Sequence, residues 1–284
     1  DAPAATPCSI HHETPIKGTL GHKTEKEAFV EKNFIQSLEK GLTVIRAFNA
    51  DNPSYTLAEI ARETGLSRAS ARRIVLTLQA LGYVGTTGRT YHLLPKVLEL
   101  GYAYLSSFGL TGIAQPHLDR LNTEVQEGCS LGVLSEGDVV YIARAQSRRI
   151  MSMYFSIGAR LDAAATAIGR VLLSGLSDEE LEKYFAAYPP KKHTPLTVTS
   201  VPELIEAIRQ IRAQGWGVVD QELEIGFRTA AAPIRNREGK IVAAINVGAH
   251  ASRISQEEMV SKIVPQVLET ARAIETDFHR TAAS

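Results

Sequence analysis

Residues 56–93 read TLAEIARETGLSRASARRIVLTLQALGYVGTTGRTYHL, and this stretch decides the fold of the N-terminal part of the chain. Thr56-Leu57-Ala58-Glu59 is a capping box, with its acid three residues after the cap, so a helix starts at Leu57. Leu57, Ile60 and Ala61 form its apolar face, and Gly65 stops it. Ser67 caps a second helix with apolar positions Ala71, Ile74, Val75, Leu78 and Leu81, closed by Gly82. The turn Thr64-Gly65-Leu66-Ser67 is too short for antiparallel packing, so the two helices cross steeply. Gly65 supplies the positive φ at the bend, and Leu66 fills the angle between the helices. Tyr83 to Leu93 then gives two short strand-like runs about a Gly-containing turn, a small hairpin.

Working outward, Leu38, Leu42, Ile45 and Phe48 recur at helical spacing, predicting an amphipathic helix over Ser37–Asn49. Asp51-Asn52-Pro53-Ser54 ends it in a turn. Helix, capped helix, short turn, helix and hairpin together spell a winged helix-turn-helix. Its last helix is free to enter the major groove of double-stranded operator DNA by its N-terminal end. Ser67, Arg68, Ser70, Arg72 and Arg73 lie on that end, and Arg89 sits at the hairpin tip. Arginine suits bidentate contact with guanine edges and with phosphate, and the serines can donate to phosphate oxygens. The other reading is a packing unit whose arginines are merely solvated.

The whole chain has 284 residues, with 31 Lys+Arg against 31 Asp+Glu. The zero net charge excludes a polybasic coater of DNA or of membrane surfaces. Read by segment, Ser67–Leu93 carries four arginines and no acid, so local, salt-dependent DNA contact is expected. The length suits two domains with real cores. The two cysteines, Cys8 and Cys129, make neither a disulfide framework nor a metal-ligand set, which fits a reducing, cytoplasmic setting. No apolar run reaches the ~20 residues of a membrane span, and no signal-peptide core is visible. Residues 1–33 read as a disordered tail, in which Cys8, His11 and His12 lack the scaffold of a metal site.

After Pro95 a helix is expected from Lys96 to Ser107, the natural dimer element, followed by Gly109 and Gly112. The expected division is 34–94 for the DNA-binding domain, 95–112 for a linker and dimerisation helix, and 113–284 for an effector-binding domain. In that last part, helices are expected over Pro116–Glu127 and Ala163–Leu173, and after Ser177, Ser200 and Ser255, each of these three with a capping-box acid. Strands are expected over Cys129–Leu134, Val139–Ala145, Ile150–Ile157, Val218–Val219, Thr229–Ile234 and Ile241–Val247. Pro265 is expected to kink or split the last helix. Sequential hairpins mixed with helices make this an α+β domain with a mainly antiparallel sheet flanked by helices.

With these residues in view, the chain resembles the IclR family of bacterial transcriptional regulators. The resemblance rests on Gln36–Ile45, Thr56–Ala61 and Gly65–Arg73, then on Ile157–Leu161, Ala165–Arg170, Gly215–Gly217, Arg228–Ile234, Ala244–Gly248 and Ser252-Arg253. Val219–Arg228 is similar to the subgroup that governs aromatic-acid breakdown through the β-ketoadipate pathway. The resemblance implies a GAF-like C-terminal domain holding a small aromatic or dicarboxylic acid such as protocatechuate, 4-hydroxybenzoate, β-ketoadipate or muconate. It implies effector contacts from Tyr154, Ala163, Ala164, Ala165, Thr166, Asp220, Asn246 and Gly248. One recognition helix covers only half a site, so a homodimer or a dimer of dimers is expected, with no cofactor, metal or membrane partner.

Several residues of this region have a plainer reading: Tyr154 as core, Asp220 as a strand-end hydrogen bond, Arg160 and Arg170 as ion-pair partners, Trp216 as a core anchor. A second domain that only oligomerises, or a regulator of a different small-carboxylate pathway, is the alternative. An enzyme is not expected, since no nucleophile elbow, zinc helix, P-loop or dinucleotide fingerprint occurs.

Overall fold

In the computed structural model the described residues are 33–49, 51–147 and 155–281. The chain divides between Glu99 and Leu100 into two compact units. The expected tail and strand Ile150–Ile157 fall largely outside the described residues, and so does Tyr154.

The first unit runs α1 (Gln36–Ala47), β1 (Ser54–Thr56), α2 (Leu57–Thr64), α3 (Arg68–Ala80), β2 (Val84–Thr87) and β3 (Thr90–Leu93). Thr56 and Glu59 close their capping box in both directions. Gly65 takes φ 68°, the left-handed turn that α2 needs to stop before α3. Val44, Phe48, Tyr55, Ile60, Ala71, Val75, Leu78 and Val84 make one small core. Two differences from the sequence pattern stand out. Ser54–Thr56 is a strand and not only a turn, because it pairs antiparallel with β3 and widens the wing to the order β1-β3-β2. Leu38 and Leu42 are exposed, as is Leu81. Of the apolar positions on α1, only those in its C-terminal half pack into the core.

Pro95–Val97 forms a single 3-10 turn that leads into α4 (Leu98–Phe108). Leu98, Leu100, Tyr102 and Tyr104 on α4 are all exposed. The helix α5 (Leu110–Val125) begins earlier than expected and runs through Pro116. Leu110 is already buried in the core of the second unit.

The second unit is built on six antiparallel strands in the order β6-β5-β4-β9-β8-β7. These are β4 (Gly128–Ser135), β5 (Asp138–Ala145), β6 (Arg160–Asp162), β7 (Gly217–Asp220), β8 (Phe227–Arg235) and β9 (Ile241–His250). Alternation sends Leu131, Ala143, Ala230, Ala232, Ile245 and Val247 to one face, against α5 and α9 (Val264–Thr281). The opposite face carries Tyr141, Ala231 and Ala244 against α6 (Ala167–Leu173) and α8 (Val201–Gln214). The helix α7 (Asp178–Ala187) joins that layer through Leu181 and Phe185. Trp216 packs, partly buried, against the α5–α9 core, as an anchor would.

Two expectations are corrected. Ala163–Thr166 is not helical: β6 ends at Asp162, and α6 starts only at Ala167 because Thr166, extended at φ −125°, caps it. The irregular stretch must press on the helix, since a Cβ on Gly169 would lie 2.2 Å from the Ala163 carbonyl oxygen. Ser200 caps nothing with its side chain, and its ψ is 115° where Ser177 and Ser255 have 166° and make full capping boxes. The last helical stretch is interrupted just before Pro265, as a π-helical turn over Met259–Ile263 separates a first turn at Gln256–Glu258 from α9. A widened turn loosens the ladder where the proline cannot donate.

Candidate functional site

The N-terminal end of α3 carries the first candidate surface. Ser67 accepts the Ser70 N–H at 3.2 Å, which fixes the start of the helix. Ser67, Arg68, Arg72, Arg73 and Arg89 are exposed and Ser70 is partly so. Among the described residues none of these four arginines meets a carboxylate. Arg89 stands beside Gly88 in the turn between β2 and β3, at the tip of the wing. A groove of about 610 Å³ lies between α1 and α3, lined by Gln36, Ser37, Lys40, Gly41, Ser70 and Arg73 among others. It adds Lys40 and Ser37 to the cationic side of α3, which the sequence pattern did not single out.

The second candidate lies in the other unit, on the sheet face that meets α6. Arg144, Ser130, Asn246 and Ala231 are successive partners across β5, β4, β9 and β8 and so point to the same side. The Asn246 side-chain amide donates to Tyr141 Oη at 3.2 Å. Its Oδ1 is buried without a hydrogen-bond partner among the described residues. Burial pushes the Tyr141 phenol above its ordinary range, with Asn246 and Ser130 offsetting part of the rise, so this hydroxyl stays neutral. The Phe155 ring meets Tyr141 edge-on at 5.9 Å and Phe227 at 6.0 Å. The Arg144 guanidinium lies over both Tyr141 and Phe155, at 5.9 and 5.5 Å from their ring centres. The half-buried cluster thus offers a cation, a phenol, an amide and aromatic walls, the mixture of apolar lining and few polar groups that suits a small organic acid.

Residues 37–88 match the IclR helix-turn-helix domain, and residues 102–276 match the bacterial transcriptional regulator IclR C-terminal domain. The chain belongs to the IclR family. It is a DNA-binding transcriptional regulator of the kind that couples a helix-turn-helix to a second α+β domain. The Pca regulon regulatory protein of Pseudomonas putida is 40% identical to it over 270 residues, 94% of this chain and 92% of the relative. The solved structure of a transcriptional regulator from Rhodococcus sp. RHA1 is 47% identical, with a TM-score of 0.79, covering 88% of this chain and 100% of that one. A double mutant of the inducer-binding domain of PobR from Acinetobacter, solved with 3-hydroxybenzoic acid, is 29% identical with a TM-score of 0.56. It covers 58% of this chain and 97% of that one.

In this IclR-family chain several residues expected at the effector site are already engaged. Asp220 takes a two-pronged bond from Arg228, at 2.9 and 2.8 Å, while Arg228 also donates to the Ile254 carbonyl. Asp220 is thus held in an ion pair within the fold, with its side chain still partly exposed. Thr166 donates its only hydroxyl proton to the Asp162 carbonyl at 3.0 Å and accepts the Gly169 N–H, so it is a helix cap. The Ala164 N–H is held by Asp162 Oδ1 at 2.8 Å and the Ala163 N–H by the Gly137 carbonyl at 3.4 Å. Only the Ala165 and Thr166 N–H groups of this stretch lack an acceptor among the described residues. Arg170 makes a buried bidentate pair with Glu222 at 2.8 and 2.6 Å, and Arg160 pairs with Asp138 at 2.9 Å. Gly248 faces the Phe227 ring, which leaves no room for a Cβ: the added atom would lie 2.7 Å from Phe227 Cζ. The structure brings Asn246 and Gly248 together on the cluster face. Sequence reasoning missed Arg144, Phe155 and Phe227. The one available signal was an arginine inside the apolar strand Val139–Ala145.

Proposed function

We propose that this chain is a cytoplasmic, sequence-specific regulator of genes for aromatic-acid catabolism, answering to a small carboxylate effector and acting by binding, without turnover. Ser67, Arg68, Ser70, Arg72 and Arg73 contact base edges and phosphates in the major groove, and Arg89 reaches the backbone or minor groove beside it. The effector lies against Tyr141, Asn246 and the Phe227 ring that covers Gly248, with the free N–H groups of Ala165 and Thr166 near the start of α6 as further donors. The 34–94 segment reads DNA, 95–112 pairs two copies, and the remainder holds the effector. No helix among the described residues is long and apolar enough to cross a membrane.

The observation that carries the reading is the half-buried cluster of cation, phenol, amide and aromatic rings on the α6 face, in a domain whose PobR relative was solved with an aromatic acid. One recognition helix covers half of a two-fold operator, so the reading requires paired copies. The exposed Leu98, Leu100, Tyr102 and Tyr104 of α4 supply apolar surface for that pairing. Fluorescence anisotropy with the upstream region of the protein's own gene tests it. Binding should weaken steeply with salt, and its strength should change when aromatic acids are added. Salt-insensitive binding, or no response to any of these acids, would remove the corresponding half of the reading.

A further inference from the structure

The helix α3 is anchored in the first unit by the buried stripe Ala71, Val75 and Leu78, and that stripe fixes which side chains lead outward. At about 100° per residue, Arg73 points within about 15° of the direction opposite the stripe, with Ala69 within about 30° of it. Arg72 stands about 85–90° to one side of that direction and Ser70 about 75° to the other. Ala69, Arg72 and Arg73 are exposed. On the Ser70 side α1 runs alongside, and the groove of about 610 Å³ between the helices is lined by Ser37, Lys40, Ser70 and Arg73. No carboxylate is among its lining residues. Arg72, Arg73 and Lys40 thus follow one another across the outward side of the helix. The major groove of DNA is about 12 Å wide and a helix with its side chains about 10–12 Å across. A helix that enters it turns its leading face to base edges and its two flanks to the two phosphate walls.

Resting on the sequence-specific regulator reading above, we propose a division of labour in which Arg73 reads the bases while Arg72 and Lys40, one on each flank, hold the phosphates of the two walls. Arg73 donates two parallel N–H bonds to O6 and N7 of a guanine, and the Ala69 methyl beside it packs against a neighbouring thymine methyl. Lys40 is a point charge on a flexible stem, which suits a phosphate and not a two-pronged base edge. Ser37, three residues earlier on α1, donates its hydroxyl to the same stretch of backbone. Arg68, one turn before Arg72, lies along the other wall. The contact surface therefore extends beyond the two helices of the helix-turn-helix to α1, and the identity of the bases rests on one arginine out of the acid-free run.

Anisotropy of the full-length protein with two duplexes, the upstream region of its own gene and an unrelated sequence of equal length, tests this across a salt series. Arg73→Ala should lower the ratio of upstream to unrelated affinity by about tenfold or more. Arg73→Lys should lower the ratio too while keeping the salt slope, because the charge stays and the two-pronged geometry goes. Lys40→Ala and Arg72→Ala should each weaken both duplexes by the same factor and keep the ratio. Each should also make the fall of log affinity with log salt shallower by about 0.9. A ratio kept by either Arg73 variant, a ratio lowered by Arg72→Ala, or a wild-type slope in Lys40→Ala would overturn the inference and leave the regulator standing. A wild-type protein that prefers neither duplex would overturn the sequence-specific reading itself. Melting curves separate lost contact from lost fold, and if Arg73→Ala melts early, Arg73→Lys carries the test.

Discussion

Arginine meets two opposite fates in the two units. In the first, Arg68, Arg72, Arg73 and Arg89 stand in solvent with no carboxylate against them among the described residues. In the second, arginine after arginine is paired within the fold. Arg170 binds Glu222, Arg228 binds Asp220, and Arg253 binds Glu127, whose side chain is fully buried. The first arrangement leaves charge available to a polyanion. The second spends it on joining distant segments: the Arg170–Glu222 pair ties α6 to the loop after β7, and Glu222 also accepts the Val198 N–H at 2.8 Å. The same side chain is a contact in one place and a bolt in the other, and burial decides which.

Removing a bolt should have the largest effect. Glu222→Ala leaves the Arg170 guanidinium buried and unpaired and should destabilise the second unit by about 3–5 kcal/mol in urea titration. Arg170→Met combined with Glu222→Leu should recover most of that loss, because no charge is left behind. If Glu222→Ala unfolds at the wild-type denaturant midpoint, the contrast between the units fails. Removing a contact should leave stability alone and change binding. Arg72→Ala should cost about 1–3 kcal/mol of operator affinity in the anisotropy assay with an unchanged melting curve. A loss of stability in place of affinity would move Arg72 to the structural side.

The smallest expected effect concerns the cap that starts α2. Thr56→Ala should destabilise the first unit by about 1 kcal/mol, read from its thermal transition. Acid should erode the same cap. Bonds from the Thr56 backbone and side chain hold the Glu59 carboxyl below its ordinary value of 4.5, so its stabilisation is complete above that value. It is lost as the pH falls through the lower folded value. Destabilisation on raising the pH instead would contradict the capping box.

Local chemistry made much of the first unit legible. The Thr56–Glu59, Ser177–Glu180 and Ser255–Glu258 boxes depend on residues three apart, and all three form. The Ser200–Glu203 pattern has the same spacing and does not form, because the backbone enters that helix at a different ψ. The strand β1 was missed because nothing in Ser54-Tyr55-Thr56 signals it, and its partner is His92 to Thr90 on the far side of two helices. On the α6 face the structure places Asn246 and Gly248 on one side of the sheet, while Asp220 and Thr166 bond to neighbours within the fold. Arg144, Phe155 and Phe227 meet only after three separate segments fold together, so no spacing in the chain announces them.

The sequence by itself determined the helix-turn-helix, its caps and the acid-free run of arginines, since those follow from neighbours within a turn or two of chain. It also determined the alternation that builds a two-faced antiparallel sheet. Only the tertiary structure decided which polar groups remain available. Hydrogen bonds and ion pairs across the fold are settled between residues far apart in the chain. They consumed Asp220, Thr166 and Arg170 and left the carbonyl oxygen of Asn246 open.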